Sequence, residues 1–435
     1  MTFSGRFVAL VALGVVPIVL LGNTVPAAFG LLSAWLLLAI VLGGIDLALA
    51  ASPRALTVER MLPARVRLGE SVTSGLYLSN LGRRRLVGVV RDAWQPSAGA
   101  STNRTPIEIP PGERRLVSLV LTPFRRGERR VEQVTVRSRG PLGLWNRQVT
   151  LNAPGRIRVL PPFHARKHLP SRITRLKELD GRTSVMVRGP GTEFDSLREY
   201  VRGDDVRSID WRATARRNDV MVRTWRPERD RRVVIVLDTG RTSAARVSDE
   251  PRLDTAFEAA LLLAALASVA GDRVDFLAFD RRVRGRVQGA SGGALLSQMV
   301  DSMALIDAEL IEMDWAAVPG QVRSVTSQHA LIVLLTSIDA AGASTGLLSV
   351  LPQLTRRHTV VVASVLDPVT VLAAGERGGR DEVYRAAAAE RALLDVARVS
   401  AAIRQLGADV VTDSPAQLPP ALADRYIALK AAGRL

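Results

Sequence analysis

Residues 191–216 read GTEFDSLREYVRGDDVRSIDWRATAR, and residues 232–238 read RVVIVLD. In the first stretch, carboxylates and arginines alternate with Leu197, Tyr200, Ile209 and Trp211. A solvated loop does not interleave charge and apolar bulk in this way, so the stretch predicts a compact, ion-paired plug seated on a neighbouring surface. Asp204 and Asp205 after Gly203 suit a turn. Glu199 and Asp210 are placed to pair with Arg207 and Arg216, and Tyr200 and Trp211 are expected to supply the burial. Arg212, Arg216, Arg217 and Arg223 are left for an acidic partner. The second stretch is an apolar, β-branched run that ends in Asp238, the pattern of a strand buried on both faces.

Downstream of that strand the chain alternates. Apolar runs at Val274 to Phe279, Ala330 to Leu335, Val360 to Val365 and Val410 to Val411 predict strands. Helical patterns fall between and after them: Asp254 to Ala270, Ala294 to Ile306, Thr345 to Arg356, Glu382 to Gln405 and about Pro419 to Ala432. Alternation of this kind predicts a parallel sheet covered by helices on both faces over residues 232–435. Ligands of such sheets bind at the carboxyl ends of the strands, where Asp238 stands.

Upstream, residues 163–231 read as a basic linker followed by the charged segment. His164 and His168 lie four apart in that linker with no carboxylate or Cys beside them, which suits a solvated stretch. Residues 53–162 carry short alternating runs, such as Val72 to Leu78, Leu86 to Val90, Leu116 to Leu121 and Val131 to Val136. Asn80-Leu81-Gly82, Pro110-Pro111-Gly112 and Arg126-Gly127 punctuate them, so an antiparallel β-sandwich is predicted.

Within residues 1–52, no charge occurs from Phe7 through Ile45. The break at Gly22 to Pro26 divides that run into two expected membrane helices, about Phe7 to Leu21 and about Ala28 to Leu49. A cleaved signal peptide would leave the second run as a new N-terminus, which argues against one. Arg6 on one flank and Arg54, Arg60 and Arg65 on the other predict that both flanks, and all that follows, face the cytoplasm of a cell (inner) membrane protein. Asp46, near the second helix's end, is expected to be solvated or snorkelling.

The chain has 435 residues and a net charge of +17, carried almost wholly by Arg. Aromatic residues make up 4%, and no stacking series interleaves the arginines, so single-strand nucleic-acid binding is not expected. With no Cys, disulfides, zinc thiolates and thiol catalysis are excluded. There is no G-x-x-x-x-G-K-[ST] loop, so the chain supplies no Walker-type ATPase of its own. Ser291 and Ser344 each sit in a G-x-S-x-G match, with His358 the later histidine. Neither serine directly follows a buried strand, so a serine hydrolase is only a remote expectation and no catalytic residue is assigned.

Residues 191–216 resemble the signature of the bacterial membrane protein family called domain of unknown function 58, in the pattern G-x-E-F-x-x-L-R-E-Y-x-x-G-D-D-x-R-x-I-D-W-x-A-x-A-R. Gly140 to Trp145 and Pro123 to Gly127 look like the corresponding segments of that family. The resemblance implies an α/β plus all-β protein: a transmembrane helical hairpin, a β-sandwich, and a von Willebrand factor A-like domain. It implies a non-enzymatic adaptor that works with a MoxR-type AAA+ ATPase on an unknown protein client. The signature residues Glu199, Tyr200, Gly203, Asp204, Asp205, Arg207, Asp210, Trp211 and Arg216 would shape the partner surface. Asp238 to Thr242 resembles the D-x-S-x-S metal loop of von Willebrand A domains. Asp238 and Thr242 fill two of its positions, Gly240 lacks the middle hydroxyl, and Asp339 lies two residues beyond the expected acid. At most a weak magnesium or manganese site is implied, and a metal-dependent adhesion receptor is the alternative function.

Overall fold

The computed structural model describes residues 2–183, 193–202, 204–217, 219–226, 231–248, 250–339 and 341–435. The chain divides into two units, Met1–Leu160 and Pro161–Leu435.

In the first unit, apolar helices Gly5–Leu13 and Val15–Leu21 precede helix Val25–Leu49. Among the described residues, only the stretch Val25–Ala55 is long and apolar enough to cross a membrane, with mean hydropathy 2.3 over its most apolar window; Gly5–Leu21 is apolar but shorter. The Trp35 indole donates to the Leu10 carbonyl at 3.0 Å, so the two apolar segments touch. Asp46 is not solvated, contrary to expectation. It is fully buried, and its carboxylate accepts the backbone N–H groups of Leu142 (2.8 Å), Leu144 (2.7 Å) and Trp145 (3.2 Å). The loop can come this close because residue 140 is glycine: a Cβ there would lie 2.2 Å from the Asp46 carboxylate. Arg147 and Arg84 donate to the Leu47 and Ala48 carbonyls and so satisfy orphan groups at the helix C-terminus.

The β-domain has two sheets. One runs in the order Thr2–Phe3, Trp145–Leu160, Gly127–Arg139, Leu86–Asp92, Thr105–Ile109. The other is Leu56–Met61, Val72–Asn80, Arg114–Leu121. The first is mixed rather than purely antiparallel, because Arg65–Arg67 pairs parallel with residues 158–160. Alternating inward residues, among them Leu76, Leu78, Ile109, Val134 and Val136, form the core.

In the second unit, residues 164–183 are not a structureless linker. His164–His168 is a 3-10 turn leading into helix Leu169–Thr183, with Leu176 buried and Arg172 and Arg175 paired to Asp424. The main sheet has six strands. Arg232–Asp238, first in the chain, is central, with Arg273–Phe279 and then Val283–Val287 on one side. Leu331–Leu335, Thr359–Val365 and Asp409–Asp413 follow in order on the other. All pairings are parallel except that of Val283–Val287, which returns as a hairpin. The sheet is therefore mixed. Val234, Val236, Ile332, Leu334, Val360 and Val362 form one apolar layer with Trp315, Val322, Leu347, Leu351 and Ile403. Alternate residues face the other way, toward helix Arg252–Val269, whose Ala/Leu centre is wholly buried.

Candidate functional site

The direction of strand succession reverses between Arg232–Asp238 and Leu331–Leu335, so their carboxyl ends frame the switch point of the sheet. Asp238 closes the first strand and is 2% exposed. Its carboxylate accepts from Gly240 N (2.8 Å), Thr242 Oγ1 (3.3 Å) and Thr336 Oγ1 (2.7 Å). Its backbone carbonyl accepts from Ser243 Oγ at 2.7 Å. Burial pushes the Asp238 carboxyl above the usual carboxylate range, against the pull of these donors.

The expected third ligand, Asp339, is already taken. Arg252, opening the long buried helix, donates with both Nη atoms to the Asp339 carboxylate and reaches Ser337 Oγ at 2.7 Å. Burial opposes ionisation of Asp339, but the guanidinium and Ser337 outweigh it and hold the carboxyl below its usual range. Gly240 has a physical reason too. The segment Glu309 to Asp314 crosses the strand ends, with Glu309 N to Thr239 O at 3.0 Å and Arg241 N to Ile311 O at 2.8 Å. A Cβ at residue 240 would stand 2.8 Å from the Ile311 carbonyl. The loop that would offer a second hydroxyl is therefore covered. The cavity bounded by Ser243, Arg252, Thr336 and Ser337 is ≈ 20 Å³, room for about one water. A guanidinium on Asp339 and a covered Gly240 do not fit a divalent-ion shell of open oxygens.

Beside it lies a cluster that the sequence reading missed. Asp280 is fully buried and accepts from Arg281 N (2.6 Å), Arg282 N (3.0 Å), Thr239 Oγ1 (3.0 Å) and Arg284 Nε (2.5 Å). Burial is the largest single influence on its carboxyl, yet Arg284 and the backbone donors together hold the pKa below normal. Arg284 also pairs with Glu309, which ties the covering segment to the sheet. Thr336 and Asp280 each stand one residue past the end of a strand, and that position was the only signal available. Arg241, next in the loop after Gly240, pairs with Glu312.

The hydrolase motifs do not form elbows. Ser291 is the residue before helix Gly292–Ala304 and follows an edge hairpin, and Ser344 falls inside helix Ala341–Thr355.

The signature segment folds on itself. Strands Glu193–Glu199 and Met221–Arg226 pair antiparallel. Tyr200 N donates to Val220 O at 2.7 Å. Asp204 takes a two-pronged contact from Arg198 (2.7 and 2.6 Å), and Asp205 caps the turn Val206–Ser208. Asp210 accepts from Arg212 N and Ala213 N, both at 3.0 Å, at the start of helix Trp211–Arg217, and from Arg223 Nε at 2.8 Å. The Ala213 amide and then Arg223 lower its pKa. The expected pairing of Asp210 with Arg207 or Arg216 is thus replaced by Arg223, which is no longer free for a partner. Glu199 ends its strand, Arg207 and Arg216 are exposed, and Gly203 lies outside the described residues. Trp211 reverses its expected role: it is 69% exposed. Val201 and Val206 are exposed with it, and Arg212, Arg216 and Arg217 surround it in sequence on the exposed helix.

Residues 196–404 match the family described as Protein of unknown function DUF58. Uncharacterised proteins of Mycobacterium tuberculosis and Mycobacterium bovis are 28% identical over 248 residues, 52% of this chain and 76% of theirs. Among solved structures, proximal thread matrix protein 1 from the mussel byssus aligns with a TM-score of 0.26 and 14% identity, over 46% of this chain and 45% of that one. A likeness at that score assigns no fold. Most of the signature hairpin and of the switch-point sheet lies inside the span, residues 196–404, over which this chain matches the domain of unknown function 58 family.

Proposed function

We propose that the protein is a membrane-anchored, non-enzymatic adaptor whose signature hairpin receives a partner protein, a MoxR-type AAA+ ATPase, acting on a protein client. The observation that carries this reading is Trp211, a large aromatic held 69% exposed on an ion-pair-braced hairpin beside Arg212, Arg216 and Arg217. Tryptophan and arginine are the residues most enriched where protein interfaces concentrate their energy. The apolar N-terminal segments serve as the anchor, as a two-helix transmembrane hairpin with the second unit in the cytoplasm. The C-terminal sheet is read as von Willebrand A-like, with the Arg252 guanidinium supplying the positive charge at the strand ends in place of a resident cation. The adhesion-receptor alternative lacks support for that reason, since it needs an open ion at this edge.

Recovery of partners from native membranes in the presence of an ATP analogue tests the proposal. Wild type should recover an AAA+ ATPase, and Trp211→Ala should lose it while shifting stability by no more than about 0.5 kcal/mol, as for an exposed position. Arg212→Glu should weaken recovery most at low salt. Undiminished recovery by both variants would move the partner surface elsewhere.

A further inference from the structure

The end of helix Val25–Leu49 meets the β-domain at a cavity of ≈ 300 Å³ that is open on one side. Arg6, Arg85 and Arg139 line it, together with Leu49, Gly140 and Pro141. Among the described acids only Glu108 is paired to any of the three arginines, and it is held by Arg85. The Arg6 guanidinium spends one weak contact, 3.4 Å, on the Leu142 carbonyl. The cavity thus holds an excess of positive charge. Its geometry is fixed, because the Asp46 carboxylate holds the 140–145 loop against the helix through three backbone amides.

An apolar stripe adjoins the basic cavity. Val41, Ile45 and Leu49 are each about half exposed and recur every four residues, so they form one stripe on the helix that runs into the cavity at Leu49. A basic cavity at the end of an apolar stripe matches a molecule with an anionic head and an apolar tail. Guanidinium groups recognise phosphate oxygens through paired N–H donors. On the reading of Val25–Leu49 as a membrane segment, this cavity lies at headgroup depth on the side where Arg6 and Arg54 flank the helices.

We propose that the cavity binds the phosphate of an anionic membrane phospholipid, with an acyl chain along the Val41–Ile45–Leu49 stripe. The inference rests on the membrane reading. It makes the β-domain a lipid-reading element as well as a spacer.

The test uses the full chain extracted in neutral detergent, with native mass spectrometry after addition of phosphatidylglycerol or of phosphatidylcholine with the same chains. Wild type should retain phosphatidylglycerol at least about fivefold better, the size expected for losing or gaining one basic contact at the headgroup surface. Arg139→Gln and Arg6→Gln should each reduce that preference about fivefold, and Arg156→Gln, far along the same strand as Trp145, should leave it unchanged. Arg139 makes no side-chain bond among the described residues, so its variant keeps the fold under test intact. Equal retention of the two lipids by wild type would overturn the inference, as would equal loss in all three variants. Displacement of the lipid by millimolar inorganic phosphate would overturn the lipid assignment in favour of a small-anion site. An alkaline carbonate wash of native membranes separates the two levels. A chain that stays in the pellet without lipid preference leaves the anchor standing and removes this inference. A chain that is washed off removes both.

Discussion

Asp238 shows how a buried residue writes itself into the pH dependence of the protein. Its folded-state pKa is raised by burial. Its favourable contribution is therefore complete below the unfolded carboxyl value and is lost as pH rises through the folded value. Asp238→Asn removes that component. The stability of wild type relative to Asp238→Asn should fall as pH rises above the unfolded carboxyl value in urea unfolding, and a flat difference would mean that the carboxylate is fully compensated by its donors. Arg252 carries the companion prediction. With the guanidinium removed in Arg252→Ala, Asp339 and Ser337 are released beside Thr336 and Asp238. Calorimetric titration should then detect magnesium or manganese binding at least tenfold tighter than in wild type, a change of about 1.4 kcal/mol. Unchanged titrations would show that Arg252 is not what excludes the ion. Asp238 and Thr242 were legible from the loop pattern. Thr336 and Arg252 were not, because both reach the site only when distant segments meet at the strand ends.

At the scale of elements, the last helix, Leu418–Ala431, is fastened by a buried cluster. Lys430 Nζ lies 2.8 Å from Asp272 Oδ1 and 3.3 Å from the Tyr426 hydroxyl, which itself donates to Asp272. All three are buried. Breaking such a pair from one side leaves an uncompensated charge, so Lys430→Ala should cost about 3–5 kcal/mol. Lys430→Ala with Asp272→Ala should cost less than the sum of the two single variants, and a double-mutant cycle by denaturant unfolding reads the difference. The central strands of this unit and its longer helices after residue 252 were legible from period and apolar runs, whereas the short helices Val318–Val325 and Pro368–Ala373 were not. The strand Val283–Val287 was legible only as part of a basic hairpin, Arg281 to Gln288, because its sequence VRGRV alternates as an exposed edge does, without a buried strand's apolar run. In the β-domain, Thr105–Ile109 and Arg65–Arg67 escaped for the same reason: short, polar strands carry too little pattern. Helix Leu169–Thr183 was hidden by its basic composition; only its docking residues, such as Leu176, show why it is ordered.

At the scale of the whole molecule, the chain is read as a membrane anchor, a β-domain and an α/β domain that carries the signature hairpin. Its topology is the remaining expectation to check. The charge-free turn at Gly22 to Pro26 should face away from the cytoplasm, and a reporter fused after Leu435 should be active only in forms that work inside the cell. Activity of a periplasm-dependent reporter at that position would reverse the assignment.

The sequence by itself determined the apolar N-terminal stretch, the change from short alternating runs to strand–helix alternation, and the signature of the family that residues 196–404 match. These are local patterns: a few neighbouring residues settle hydrophobic period, turn chemistry and motif. Tertiary structure alone decided that Trp211 faces solvent, that Arg223 rather than Arg216 holds Asp210, and that Asp46 is buried in a nest of amides. It alone seated Arg252 on Asp339. Each of these depends on which of several nearby opposite charges or apolar surfaces comes within bonding distance. Composition offers many such partners, and only the path of the backbone between distant segments selects among them.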